Sequence, residues 1–255
     1  YVGKAKDIRK RVLSHFAGDH SSAKEMRLSQ QVRHIEWIDT GGEIGALLKE
    51  AALIKKMQPT LNRQLRRNND LCAISLVAHE SGHVTPAITY ARELDFGSQS
   101  NIYGLFKSAK EATSVLAALA VEYALCHAVL ELEKVKSGKP CFAHQIRKCK
   151  GACVGAETLA AHSARLVMGL SKLRLKSWPF VGPAYLKEGE EVLVIDHWCY
   201  LGAARSDEDL WPLLEQRRPQ FDRDTYRILS KVVNRMRPLA ARHTHGRTPA
   251  LHVPQ

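Results

Sequence analysis

Four of the six cysteines, Cys126, Cys141, Cys149 and Cys153, fall within 28 residues in the spacing C-x14-C-x7-C-x3-C. A fold for this chain must either converge these thiols or bury them one by one, because cysteine is both a small buried apolar residue and a strong thiolate ligand. Disulfides are disfavoured. The chain carries 38 Lys and Arg against 26 Asp and Glu, a formal charge of +12, which suits a polyanion partner in a reducing compartment. The spacing is not one of the usual C-x-x-C zinc patterns, so buried free thiols and a thiolate metal site both stay open. Cys149 and Cys153, four apart, are predicted to share a helix face. Arg147, Lys148 and Lys150 flank them and suit a phosphate.

The positive charge is uneven. Residues 1–67 hold 14 Lys and Arg against 7 Asp and Glu, so the amino-terminal quarter is the strongest candidate for a nucleic-acid surface. Apolar residues make up 45% of the chain, enough for a packed core. The longest apolar run, VLAALAVEYALCHAVLELE, is interrupted by Glu122 and His127 and reads as a buried helix, not a membrane span.

Tyr1-Val2-Gly3 has the composition of a strand end. Ile8, Val12 and Phe16 form an i, i+4, i+8 stripe that predicts a helix over 6–16, stopped by Gly18. RHIEWID at 33–39 predicts a strand, and a second helix runs over 43–57 to Gln58-Pro59. Strands are predicted at 71–78 and 87–91, and helices at about 110–134 and 156–176. A strand pair follows at AYLKE and EVLVIDHWCYLGAA, then a helix over about 224–234 with Asp222 or Asp224 as its N-cap. Trp178 and Trp198 are expected in the core. The expected division is 1–68, 69–176, 177–236 and a disordered tail over 237–255, in an overall α+β fold.

Two features of the first 68 residues carry chemistry. Lys4, Arg11 and His15 are separated by seven and four residues and so are expected on one helical face, suited to an oxyanion. Glu50 is expected in the middle of an apolar stripe of Ala46, Leu47, Leu53, Ile54 and Met57. A carboxylate there must be paired, protonated or bound to a cation. A core salt bridge and a Mg²⁺ site are the two readings.

Tyr1-Val2-Gly3-Lys4, Arg11, Glu50 in LLKEAALIKK and Asn62 in QPTLN together resemble the GIY-YIG nuclease domain of UvrC/Cho-type excinucleases. LCAISL, NIYGLF, the cysteine segment, KSWPF, YLGAA and FDRDTYRIL extend the resemblance to about residue 235. The family's Gly-Ile-Tyr strand has no counterpart in this sequence, so an amino-terminally truncated GIY-YIG α/β domain is expected. A mostly helical Cys-rich region and a small carboxy-terminal α+β subdomain are expected to follow.

The resemblance implies a role for each matched residue. Tyr1 is a general base toward water, with Lys4 and the metal ion helping to remove its proton. Arg11 holds the scissile phosphate, and His15 stands where the Cho type replaces a tyrosine of UvrC. Asn62 orders the site, and Glu50 binds Mg²⁺ or Mn²⁺. Lys6, Arg9, Lys10, Arg63, Arg66 and Arg67 are further DNA contacts. Cys126, Cys141, Cys149 and Cys153 hold a [4Fe–4S] cluster, with zinc as the alternative. The implied activity is structure-selective incision of damaged double-stranded DNA 3′ of a lesion, with UvrB as partner, in a bacterial cytoplasm at the nucleoid. The rival expectations are a non-cutting DNA-binding scaffold and an accessory module of a proofreading exonuclease fusion.

Overall fold

The computed structural model describes residues 1–17, 23–62, 71–136 and 138–239. Arg63, Arg66, Arg67, Gly18 and the stretch from 240 onward lie outside the described residues; the expected disordered tail over 237–255 is described only at its start, where Arg237 and Pro238 are ordered as a short strand paired with Tyr185 and Ala184. The chain divides into two compact units: Tyr1–Arg67 with Pro179–Gln255, and Asn68–Trp178.

The amino-terminal part of the first unit holds α1 (Ile8–Ser14), α2 (Ala23–Gln31) and α3 (Glu43–Met57). Asp7 caps α1 by accepting from the Lys10 amide at 2.9 Å. The helix begins at Ile8, so Lys4 precedes it and does not share its face with Arg11 and His15 as expected. Ile8 and Val12 are half-buried, but Phe16 is 48% exposed and α1 buries no residue fully. Neither Tyr1–Gly3 nor 33–39 forms a strand. Among the described strands none forms a ladder with them, and an extended segment without a ladder partner is not a strand. α3 is the long element, ended by Gln58 in the left-handed region (φ 48°) ahead of Pro59. Its buried face is Gly45, Leu48, Ala51 and Ile54, one step round from the predicted stripe. Ala46 and Leu53 line a cleft instead, and Met57 is 64% exposed.

The inserted unit is an antiparallel sheet with two helices. β1 (Cys72–Ala78) is central, with β2 (Val84–Tyr90) on one side and β3 (Ile102–Phe106) on the other. Cys72 pairs with Tyr90 and Ala78 with Val84. Ile74, Tyr103 and Phe106 pack with Ala112, Leu116 and Ala120 of α4 (Ala109–Glu122) and with Leu166 and Leu170 of α6 (Leu159–Leu170). Ser108 caps α4 and Thr158 caps α6. The helix expected to 134 stops at Glu122, and Ala124 is left-handed at φ 49°. The helix expected to 176 gives way to a 3-10 turn at Ser171–Leu173, after which Arg174 bridges to Tyr103. The short α5 (Phe142–Gln145) lies among the cysteines.

The chain then returns to the first unit. The second sheet has the order β6-β5-β4-β7, from β4 (Ala184–Glu188), β5 (Glu191–Asp196), β6 (Cys199–Ala204) and β7 (Arg237–Pro238). Its core includes Leu186, Leu193, Ile195 and a fully buried Trp198; Trp178 is also buried. α7 (Asp207–Glu215), which periodicity did not reveal, is fixed by a capping box between Ser206 and Asp209. α8 (Arg223–Leu229) is shorter than expected, followed by a 3-10 turn at Val233–Arg235. Asp222 is its N-cap, accepting from the Thr225 amide at 2.8 Å.

Candidate active site and thiol cluster

Tyr1 lies at the junction of two open clefts. One, of about 430 Å³, is lined by Tyr1, Arg11, His15, Phe16, Leu28 and Val32 among others. The second, of about 550 Å³, runs past Tyr1 and Lys4 to Lys49, Glu50, Leu53 and Met57. α1 supplies Arg11, whose Nη2 donates to the Tyr1 hydroxyl at 3.2 Å. His15, the C-cap of α1, sets its ring edge-on to Tyr1 at 5.6 Å between centroids. α1 therefore brings a cation and an imidazole to the same phenol.

Asn62 works from the far end of the amino-terminal segment. Its Oδ1 accepts from the Val2 amide and its Nδ2 donates to the Val2 carbonyl, both at 2.8 Å. This closed pair replaces the missing ladder and holds the Tyr1–Gly3 backbone in place. Lys4 reaches Glu43 Oε1 at 3.3 Å, an exposed pair of small energetic weight.

Glu50 projects from α3 half-buried on the cleft side. Burial pushes its carboxyl above the ordinary carboxylate range, opposed by the Lys4 charge and amide and by Arg11. A carboxylate that is partly desolvated, borders an open cleft and feels two cations can hold a divalent metal ion once an anionic substrate offsets those cations. Lys49, beside it on the same cleft, was not singled out from the sequence.

Lys6, Arg9 and Lys10 are exposed, and Lys10 pairs with Asp7 at 3.6 Å. Arg147, Lys148 and Lys150 are exposed in the second unit around the thiols.

The four cysteines converge. Cys141 Sγ lies 3.8 Å from both Cys126 Sγ and Cys149 Sγ, and Cys153 Sγ accepts from the Cys141 amide at 3.4 Å. Cys149 and Cys153 do not share a helix. Gly151 (φ 81°) turns the chain between them, and Cys153 sits in a 3-10 turn at Ala152–Val154. The fold reaches convergence by loops, each thiol delivered by a separate turn.

Burial raises the Cys141 thiol, but the His144 amide and hydrogen bonds from Cys149, Cys126 and Cys153 outweigh it and leave the thiol low. Burial raises Cys149 to about 12 and Cys153 to about 11, with Cys126 charge adding to both. Several thiolates cannot coexist here without a cation, and a metal ion supplies that charge. The donor set therefore fits a metal centre. Around it, His162 Nε2 accepts from the Cys126 amide at 2.9 Å. Arg165 donates to the Tyr123 and Ala124 carbonyls at 3.0 and 3.1 Å while paired with Glu157.

Residues 1–63 match the family model of the UvrC-like GIY-YIG domain, 58–171 the UvrC/Cho excinuclease middle domain, and 183–248 the excinuclease Cho C-terminal domain. The chain is 41% identical to Excinuclease cho of Shigella flexneri and of Escherichia coli strain K12, over 91% of its own length and 76% of theirs. It is 33% identical over 162 residues to UvrABC system protein C of Porphyromonas gingivalis, covering 62% of this chain and 26% of that one. No solved structure matches. No described helix is long and apolar enough to cross a membrane. With a GIY-YIG nuclease domain, a UvrC/Cho middle domain and a Cho C-terminal domain in succession, the chain belongs to the Cho family of excinucleases and is an endonuclease acting on DNA.

Proposed function

We propose that this endonuclease nicks damaged double-stranded DNA on the 3′ side of a lesion, on a substrate delivered by UvrB, within nucleotide excision repair. The observation that carries the reading is the meeting of Arg11 and His15 at Tyr1, which lines both their cleft and the adjoining cleft whose wall presents Glu50. Arg11 fixes the phenol oxygen and is placed to hold a phosphate oxygen with its remaining donors. Tyr1 takes the proton from the attacking water. Glu50 holds Mg²⁺ or Mn²⁺, which when bound offsets charge on the leaving oxygen. Asn62 keeps the Tyr1–Gly3 backbone from drifting. Lys6, Arg9 and Lys10 contact flanking phosphates.

The test is a nicking assay with Mg²⁺ and UvrB on a lesion-bearing duplex, comparing wild type with Tyr1→Phe. A nick 3′ of the lesion that falls at least ~100-fold in the variant is expected, as for loss of a general base. A nick 5′ of the lesion overturns the polarity. Retained DNA binding with no nick from either protein favours a non-cutting DNA-binding role.

The four thiolates hold a metal centre, and by family resemblance a [4Fe–4S] cluster. Cys141 Sγ stands 3.8 Å from Cys126 Sγ and Cys149 Sγ, and the sulfurs of Cys126, Cys141 and Cys153 lie within 4.8 Å of one another. These short separations support a second reading, a single zinc ion, whose sulfurs at ~2.3 Å from the metal stand about 3.8 Å apart. A four-iron cluster needs them wider. Metal and sulfide analysis of the purified protein separates the two, and Cys149→Ser is expected to lose the metal in either case. A folded variant with unaltered metal content returns the free-thiol reading.

A further inference from the structure

α3 begins on Gly42, which has no side chain to cap it, so the first amides of the helix need partners from elsewhere. They find them in the β4–β5 turn. Glu188 Oε1 accepts from the Ile44 amide at 3.2 Å and its Oε2 from the Gly45 amide at 2.7 Å. Glu191, cross-strand from Glu188, accepts from the Gly41 amide at 2.8 Å. Both glutamates are under a tenth exposed. Arg205 bonds the other oxygen of Glu191 at 2.9 Å.

The approach is close enough to specify sequence. A Cβ on Gly41 would lie 2.0 Å from the Glu188 carbonyl oxygen, and one on Gly42 2.6 Å from the Glu188 carboxyl carbon. A Cβ on Gly45 would lie 3.3 Å from Leu193. Gly-Gly-x-x-Gly lets the hairpin touch the helix backbone. Near the other end of α3, Lys55 is paired with Asp222 at the start of α8. The helix that carries Glu50 is thus held at both ends by the carboxy-terminal part of the chain.

We propose that Glu188 and Glu191 are positioning residues for the nuclease site, setting the axial position of α3 and with it the Glu50 carboxylate. Glu50 stands five residues beyond Gly45, roughly 7.5 Å along the helix. A carboxylate on the positive end of α3 is favourable in itself, and here it also ties the helix to a rigid sheet. Partners that orient a metal ligand typically govern metal affinity by ~10–100-fold. This inference rests on the reading that Glu50 is the divalent-metal ligand.

The experiment measures Mn²⁺ affinity by electron paramagnetic resonance on the whole chain for wild type, Glu188→Ala, Glu188→Gln and Glu50→Ala. DNA affinity and the melting curve are recorded beside it. Glu188→Ala is expected to weaken Mn²⁺ at least ~10-fold with DNA affinity unchanged. Glu188→Gln, which keeps one acceptor oxygen and the side-chain volume, is expected to recover part of the loss. If Glu188→Ala does not fold, Glu188→Gln decides alone: a folded Gln variant with wild-type Mn²⁺ affinity overturns the proposal. Wild-type affinity in both Glu188 variants, with loss in Glu50→Ala, overturns it and leaves the Glu50 assignment standing. Retained Mn²⁺ in Glu50→Ala removes the assignment and this proposal with it.

Discussion

At the scale of single residues, Glu50 combines function with a stability cost. Its folded-state carboxyl binds a proton more readily than in the unfolded chain, so at neutral pH the ionised group weakens the fold. That penalty disappears as pH falls through the raised value. Glu50→Gln is therefore expected to melt higher than wild type at pH 7, with the gain shrinking toward acid, while cutting drops by about 100-fold or more. Thermal melts at several pH values and the nicking rate check both halves. In the wild type, loss of Mg²⁺-dependent cutting on acidification is expected to set in above the ordinary carboxylate range. Glu50 stood out in the sequence because a charge among apolar residues needs an explanation. Glu188 carries the same signal, since strand alternation puts it on the face of Ala184 and Leu186, although a Glu-Gly-Glu-Glu turn reads equally as an exposed hairpin tip.

At the scale of elements, boundaries set by local capping were easier to read than those set by distant side chains. Asp222 at the head of α8 was legible, because a cap lies within three residues of its partner. The stop of α4 at Glu122 was not. There the chain is held by Arg165 and His162, some 36–42 residues on, against helix propensity in an apolar run. The Arg165–Glu157 pair is largely buried, and Arg165 holds its neighbour's carboxyl below the usual range. Arg165→Met strands that carboxylate and two carbonyls. We expect it to destabilise the second unit by ~3 kcal/mol, read as a lower denaturation midpoint, with metal retention falling in step. Likewise, 33–39 has strand composition but no ladder among the described residues, since composition does not specify a partner.

At the scale of the whole molecule, the charge of +12 makes DNA affinity a function of salt. Log affinity is expected to fall linearly with log salt, and Lys10→Ala to reduce the slope by about 1. The nuclease unit is assembled from the two ends of the chain, with the thiol unit between them. The sequence does not reveal this, because consecutive segments 1–68, 69–176 and 177–236 read as successive domains and local patterning carries no signal for a unit closed by two distant stretches. The three hydrogen bonds that seat α3 join residues 143 to 150 positions apart. Contacts that remote are slow to form and come late. During synthesis, the inserted unit can be complete before the turn at Glu188 has left the ribosome. With single-tryptophan variants, burial of Trp178 is expected to precede burial of Trp198 in refolding. A nascent chain would then finish its thiol unit while its cutting helix is still unseated, and become able to nick DNA only after its last sheet has formed.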